Sequence, residues 1–227
     1  MVKRVDLQVG RGKKTGGSMK KILIFILCML FLGTIAGCKK QDEDSQLDAK
    51  PVIYLYPKEK TKVSVSLNYT GKLTVSYPKY DEGWNVTAYP DGTLIDENHK
   101  KYNYLFWEGI DSNTYTFEEG FCVKGEDAAA FLEEKLDLLG LNRTEANEFI
   151  VYWLPIMEAN EYNLVSFNPE AYLESTKLVV NPTPDTVIRV FMVVKASNKY
   201  VEITPQVLEK VTRSGFTVVE WGGAQAK

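Results

Sequence analysis

Two carboxylates stand out for what sits beside them. Glu108 lies in Trp107-Glu108-Gly109 and Glu220 in Glu220-Trp221-Gly222-Gly223, each an acid next to a tryptophan and a glycine at an expected strand end. Two carboxyl groups facing one another across roughly 5 to 9.5 Å can cleave a glycosidic bond. A tryptophan packed on a carboxyl disfavours its charged form and turns it into a proton donor. Spacing along the chain does not fix the distance between the two acids, and strand alternation commonly leaves one such neighbour solvated and the other packed. Cys122 and His99 would form a nucleophile and base only with close approach and a third, orienting group. His99 belongs to the polar stretch 96–101, DENHKK, and is expected in a surface loop, while Cys122 is expected as a small core residue. Glu118-Glu119 and Asp42-Glu43-Asp44 carry oxygen ligands but lack EF-hand spacing, and solvated charge is the plainer expectation. The chain has no G-x-x-x-x-G-K-[ST], H-E-x-x-H or G-x-S-x-G stretch. No catalytic residue, cofactor or metal site is therefore assigned from the sequence.

A different chemistry attaches to Cys38. Residues 19–38, MKKILIFILCMLFLGTIAGC, have a short basic start, an apolar run and small residues ending at the cysteine, the anatomy of a secretory signal peptide. The apolar stretch falls short of the about 20 residues that a membrane-spanning helix requires. Two lysines before it and GCKKQDEDSQ after it make poor flanks for a buried core helix. Ile35-Ala36-Gly37-Cys38 resembles the lipobox of bacterial lipoproteins. That resemblance implies cleavage between Gly37 and Cys38 and at least two acyl chains on the mature Cys38. One chain anchors only marginally and two anchor stably. The expected product is lipid-anchored at the cell membrane and faces outside the cytoplasm. Cys28 leaves with the leader and Cys38 is acylated, so Cys122 is the one thiol left, and neither an internal disulfide nor a Cys-based zinc site is expected.

Residues 1–18, MVKRVDLQVGRGKKTGGS, are basic and aperiodic and precede an already complete signal. They are expected to be an extension upstream of a true start at Met19, with Gly16-Gly17 a translated ribosome-binding site; the alternative is a long basic leader start. Seven of the 27 lysines and arginines lie before residue 39, against one of the 30 acids, which leaves 20 against 29 in the mature part. Such an acidic surface disfavours nucleic acid, whose binding depends on basic patches. Residues 38–50 comprise the lipidated cysteine and a polar segment, KKQDEDSQLDAK, expected to be a disordered tether. Its end-to-end distance would be roughly 20 Å.

The body from residue 51 must position whatever chemistry there is. Val52-Ile53-Tyr54-Leu55-Tyr56 is apolar on both faces and predicts a central strand closed by Pro57. Val63, Val65 and Leu67 alternate with serines, and 68–71 predicts a hairpin turn with Gly71 at positive φ. Leu73, Val75 and Tyr77 return, then Trp84, Val86 and Ala88, a turn at Pro90-Asp91-Gly92, a strand over 93–96 and an aromatic strand over 102–107. Two helices follow. The first runs from an Asp127 cap to a stop at Gly140; the second starts in an Asn142/Glu145 capping box and carries Ala146, Phe149, Ile150, Trp153, Leu154 and Met157 as one stripe. Glu145, Asn147, Glu148 and Glu158 are expected away from that stripe, and Pro155 is expected to kink or end the helix. Strands resume at 163–167, 177–180, 187–194, 200–203 and 216–221, with a short helix at 208–211. The expected fold class is α+β: an antiparallel, β-rich half, sandwich or meander-like, over 51–120, and two helices packed on further strands over 121–227, as two subdomains or one continuous domain.

Lys50-Pro51-Val52-Ile53-Tyr54-Leu55-Tyr56-Pro57, the run YNYLFWEG over 102–109 and VEWGG over 219–223 resemble a family of uncharacterised secreted or lipid-anchored bacterial proteins. The resemblance covers the body from Lys50 onward and implies an extracytoplasmic place, but no activity, cofactor or catalytic residue. Two functional expectations result. One is a non-enzymatic binding or structural module gripping an envelope polysaccharide or protein through a face formed by Trp107, Glu108, Glu220 and Trp221. The other is a glycosidase-like hydrolase of envelope polymers using Glu108 and Glu220.

Overall fold

The computed structural model describes residues 46–227, with side chains from Ala49 onward. The expected extension over 1–18, the signal peptide over 19–37, Cys38 and the tether as far as residue 45 lie outside the described residues.

Strand β1 (Gln46–Tyr56) buries both of its faces: Val52 and Tyr54 on one side, Ile53 and Leu55 on the other, none more than 3% exposed. A strand of this kind belongs in a sheet interior. It starts earlier than its composition suggests, so residues 46–50 are not tether. Gln46, Leu47 and Asp48 pair with Asp111, Ile110 and Gly109, and Ala49 pairs with Gly223. The register then shifts before Val52, with Lys50 at φ +53°, a bulge in an otherwise regular strand.

The chain continues through β2 (Thr61–Tyr69), β3 (Lys72–Tyr77), β4 (Trp84–Ala88), β5 (Leu94–Ile95), β6 (Lys101–Tyr102), β7 (Leu105–Asp111) and β8 (Glu119–Lys124). Helices α1 (Ala128–Leu138) and α2 (Arg143–Glu158) follow, then β9 (Tyr162–Phe167), α3 (Glu170–Ser175), β10 (Thr176–Asn181), β11 (Thr186–Ser197), β12 (Thr204–Pro205) and β13 (Thr217–Gln225). Eight strands form one sheet in the order β12-β8-β9-β11-β13-β1-β7-β3, and five form another, β10-β2-β4-β5-β6. Pairing is antiparallel except between β11 and β13 and between β12 and β8. The fold is α+β, with two largely antiparallel sheets and the main helices in the second half.

Two connections differ from the expected meander. The segment 68–71 is not a hairpin, because β2 pairs with β10 and β4 whereas β3 pairs with β7 in the other sheet. Gly71 has no positive φ; a side chain there would run into the Ile110 carbonyl and the Tyr69 ring. The aromatic run 102–107 is likewise two strands, since β6 ends the small sheet and β7 enters the large one. These crossings close a sandwich. Ile53, Leu55, Trp107 and Val218 of the large sheet pack against Val63, Val65, Trp84 and Val86 of the small sheet. On the opposite face of the large sheet, Leu132 and Leu136 of α1 and Phe149, Trp153 and Met157 of α2 cover Val52, Met192, Val219 and Trp221. Strands from both halves interleave in the large sheet, and the described residues 46–227 belong to one compact unit, so residue 120 marks no division of the fold.

The helix ends follow local chemistry. Gly140, at φ +87°, donates to the Asp137 carbonyl and Leu141 to that of Leu136, a Schellman stop. Asn142 Oδ1 accepts from the Glu145 amide at 3.0 Å while Glu145 Oε2 accepts from the Asn142 amide at 2.8 Å, closing the capping box. Asp127 makes no side-chain cap; a 3₁₀ turn (Gly125–Asp127) leads into α1 instead. Helix α2 continues one turn past Pro155 to Glu158. Residues 200–203 and 208–211 form neither strand nor helix. The segment containing 208–211 is fastened to the body by the Val211 amide on the Leu138 carbonyl, 3.1 Å, and by Arg213 Nε on the Gly140 carbonyl, 2.8 Å.

Candidate functional site

The register settles where the two tryptophan-flanked acids point. Val52 lies opposite Phe106 on one side and Trp221 on the other, and Ile53 lies opposite Leu105 and Glu220. Paired residues share a face and adjacent residues alternate. Phe106, Glu108 and Trp221 therefore face the helices, whereas Trp107 and Glu220 face the small sheet. Glu108 and Glu220 project from opposite faces of one sheet, so they cannot flank a single glycosidic bond. Both tryptophans are 0% exposed, and the expected Trp107/Trp221 face is core. Glu220, 1% exposed, accepts from Arg189 Nε at 2.6 Å, and Arg189 Nη1 donates to the Thr176 carbonyl at 2.8 Å. Burial works against the Arg189 charge, but the neighbouring Glu220 carboxylate outweighs it and holds the guanidinium protonated. Cys122 is half-buried on β8, its Sγ accepting from the Val201 amide at 3.3 Å; His99 is exposed in the loop between β5 and β6, in the other sheet.

A polar seam between β1 and α2 escaped the sequence reading. The Tyr54 hydroxyl donates to Glu148 Oε2 at 2.8 Å, and the fully buried Glu145 takes both terminal nitrogens of Arg213. Burial, then the Glu148 carboxylate, pushes the Tyr54 hydroxyl well above its ordinary value; burial, then the Glu145 charge, does the same to Tyr56. Lys50 lies over the rings of Tyr152 and Trp221, 5.0 and 5.5 Å from their centroids. The signal for Glu145 was in the spacing: it precedes Phe149 by four residues and Trp153 by eight, on the same helix face. The acids of this seam are spent on internal partners, and the seam ties α2 and the Arg213 segment to the sheet.

Open concave surface lies elsewhere. On the outer side of the small sheet, Asn181, Ser64 and Asn85 stand in one cross-strand row, and Lys62 and Thr87 in the next. They line a depression of about 430 Å³ with Asp96 and Glu97 at its rim. A second depression, of about 540 Å³, adjoins it through Asn85, Val86, Asp96 and Glu97 and runs on to Tyr77, Lys79, Asp81, Lys100 and Tyr102. Asp96 anchors this end: its Oδ1 accepts from the amides of Asn98 and Lys100 and its Oδ2 from the Tyr102 hydroxyl, each at 2.9 Å. What burial there is pushes the Asp96 carboxyl up, but these donors outweigh it and hold it below its ordinary value. Tyr102 in turn meets Tyr77 edge-to-face at 5.4 Å. Tyr77 remains 62% exposed. A separate cleft of about 670 Å³ between β8 and α1 is walled by Phe121, Phe131, Tyr162 and Tyr200 and holds Cys122. Among the described residues no cluster of histidine, cysteine and acidic side chains is arranged to hold a metal ion.

The uncharacterised protein in the bglA 3′ region of Butyrivibrio fibrisolvens is 44% identical to this chain over 94 residues, which cover 97% of that protein and 40% of this one. The chain belongs to that protein's family. No family model and no solved structure matches it. Family membership brings no activity with it, and the functional reading rests on residues 19–38 and on the concave surface that runs from the small sheet to β3.

Proposed function

We propose that the protein is a lipid-anchored extracytoplasmic binding module, not an enzyme, held at the cell membrane through acylated Cys38 and presenting its body to an envelope polysaccharide or protein. The observation that carries the binding part is the pair of joined depressions, one on the small sheet and the other running round its edge to β3. They are concave, and solvated polar side chains converge on them from neighbouring strands, which supports a binding role. The anchoring part is supported by the basic start, apolar run and Ile35-Ala36-Gly37-Cys38 ending of residues 19–38. Cells fed radiolabelled palmitate should label the wild-type protein and not Cys38→Ala, and protease added to intact wall-free cells should degrade the labelled chain. Label on Cys38→Ala, or a full-length unmodified chain in the cytosol, would sink the anchoring part.

A further inference from the structure

We infer that the two joined depressions, one on the outer face of the small sheet and the other running round its edge to Tyr77 of β3 in the large sheet, bind an uncharged polysaccharide chain, with Tyr77 as the stacking platform and Asn85 as the central hydrogen-bonding residue. This deepens the binding-module reading and rests on it. Three properties of the trench select the ligand. The first is shape: the two depressions, about 430 and 540 Å³, are joined at Asn85 and extend across the strands. An elongated occupant fills such a space better than a compact one.

Polarity is the second property. The floor's outward side chains are chiefly amides and hydroxyls, Asn181, Ser64 and Asn85 in one row and Thr87 beside Lys62 in the next. Such groups both donate and accept, which suits a ligand whose every hydroxyl does the same. The charges over the two depressions balance, with Lys62, Lys79 and Lys100 against Asp81, Asp96 and Glu97. A polymer of one sign would meet as much repulsion as attraction, and a neutral one meets neither.

The third property is a preorganised ring. Tyr77 keeps 62% of its surface exposed although Tyr102 holds it edge-to-face, and Tyr102 is itself fixed through Asp96. A rigid ring with an open face stacks on the apolar face of a sugar at little entropic cost. A protein ligand would call for a wider apolar centre.

The test uses the full-length chain in detergent micelles and affinity electrophoresis through gels containing hydroxyethylcellulose, glucomannan, xylan or laminarin, with polygalacturonate as the anionic comparator. Retardation by at least one neutral polymer is expected. Tyr77→Ala should weaken it about tenfold, the scale of one stacked ring, and Asn85→Ala about three- to tenfold, the scale of one hydrogen bond, with the fold retained and thermal melting little changed because both residues are exposed. Tyr200→Ala, in the cleft beside α1, should leave binding intact. No retardation by any neutral polymer, binding to polygalacturonate alone, or binding indifferent to Tyr77→Ala and Asn85→Ala would overturn the inference. Binding lost with Tyr200→Ala would move the ligand to the other cleft and preserve the binding-module reading, and palmitate labelling reports on the anchor independently of all of these.

Discussion

Arg189 and Glu220 meet at 2.6 Å between the two sheets, and truncating either one strands the other's charge in a place that water scarcely reaches. Glu220→Ala should therefore destabilise the protein by about 3 to 5 kcal/mol. The joint replacement Arg189→Met with Glu220→Leu should recover most of that loss, since matched apolar groups often replace a buried pair without penalty. Urea unfolding midpoints of the three chains measure both effects. Asp96 makes a prediction about acid. Its folded value lies below the ordinary 3.8, so the stability it contributes is complete above that value and is lost as pH falls through the lower folded one. Asp96→Asn should show a shallower fall in melting temperature below pH 4 than the wild type, and an equally steep fall would refute the linkage. At this scale the sequence identified chemical types but not their surroundings. Glu220 was conspicuous for its tryptophan neighbour, yet its decisive partner is 31 residues away on another strand.

Local rules account for the helices and fail for the strand connections. The capping box and the Gly140 stop use residues within six positions of each other, and both were legible. Asn142→Ala should cost about 1 kcal/mol by removing a cap. Gly140→Ala should cost about as much or more by forcing a side chain into the left-handed region at φ +87°. Chemical denaturation checks both. A strand's partner, by contrast, depends on which sheet the chain enters next. Asn68-Tyr69-Thr70-Gly71 has the composition of a hairpin, but β2 and β3 part there into different sheets. The polar start of β1 was hidden for a related reason. Its partners, Asp111, Ile110 and Gly109, lie far along the chain on β7, and its own alternation, with Leu47 and Ala49 as the apolar members, is short and follows directly on the polar run 39–46.

Across the whole molecule the motif stretches KPVIYLYP, LFWEG and VEWGG fall on β1, β7 and β13, three adjacent strands in the large sheet. Gly222 has its place there because a side chain would press on Pro51 of the neighbouring strand. The same interleaving makes division of the body costly. Fragments 51–120 and 121–227 expressed separately should each be unfolded by circular dichroism and rapid proteolysis, because either cut deprives β1 or β13 of a flanking strand. A folded fragment would contradict that dependence. The surface proposed for binding was legible only in part: alternation in β2 and β4 put Ser64 and Thr87 outward, but the joining of two hollows at Asn85 needed the strands assembled.

β1 also decides how the body responds to force. The chain enters it at Gln46 and is zipped on both edges, to β7 and to β13. Force applied at Gln46 along the strand axis loads these pairings in shear, so many backbone hydrogen bonds must yield together instead of peeling one at a time. A body held by the first residues of β1 resists extraction in this direction with the strength of a strand paired along both edges.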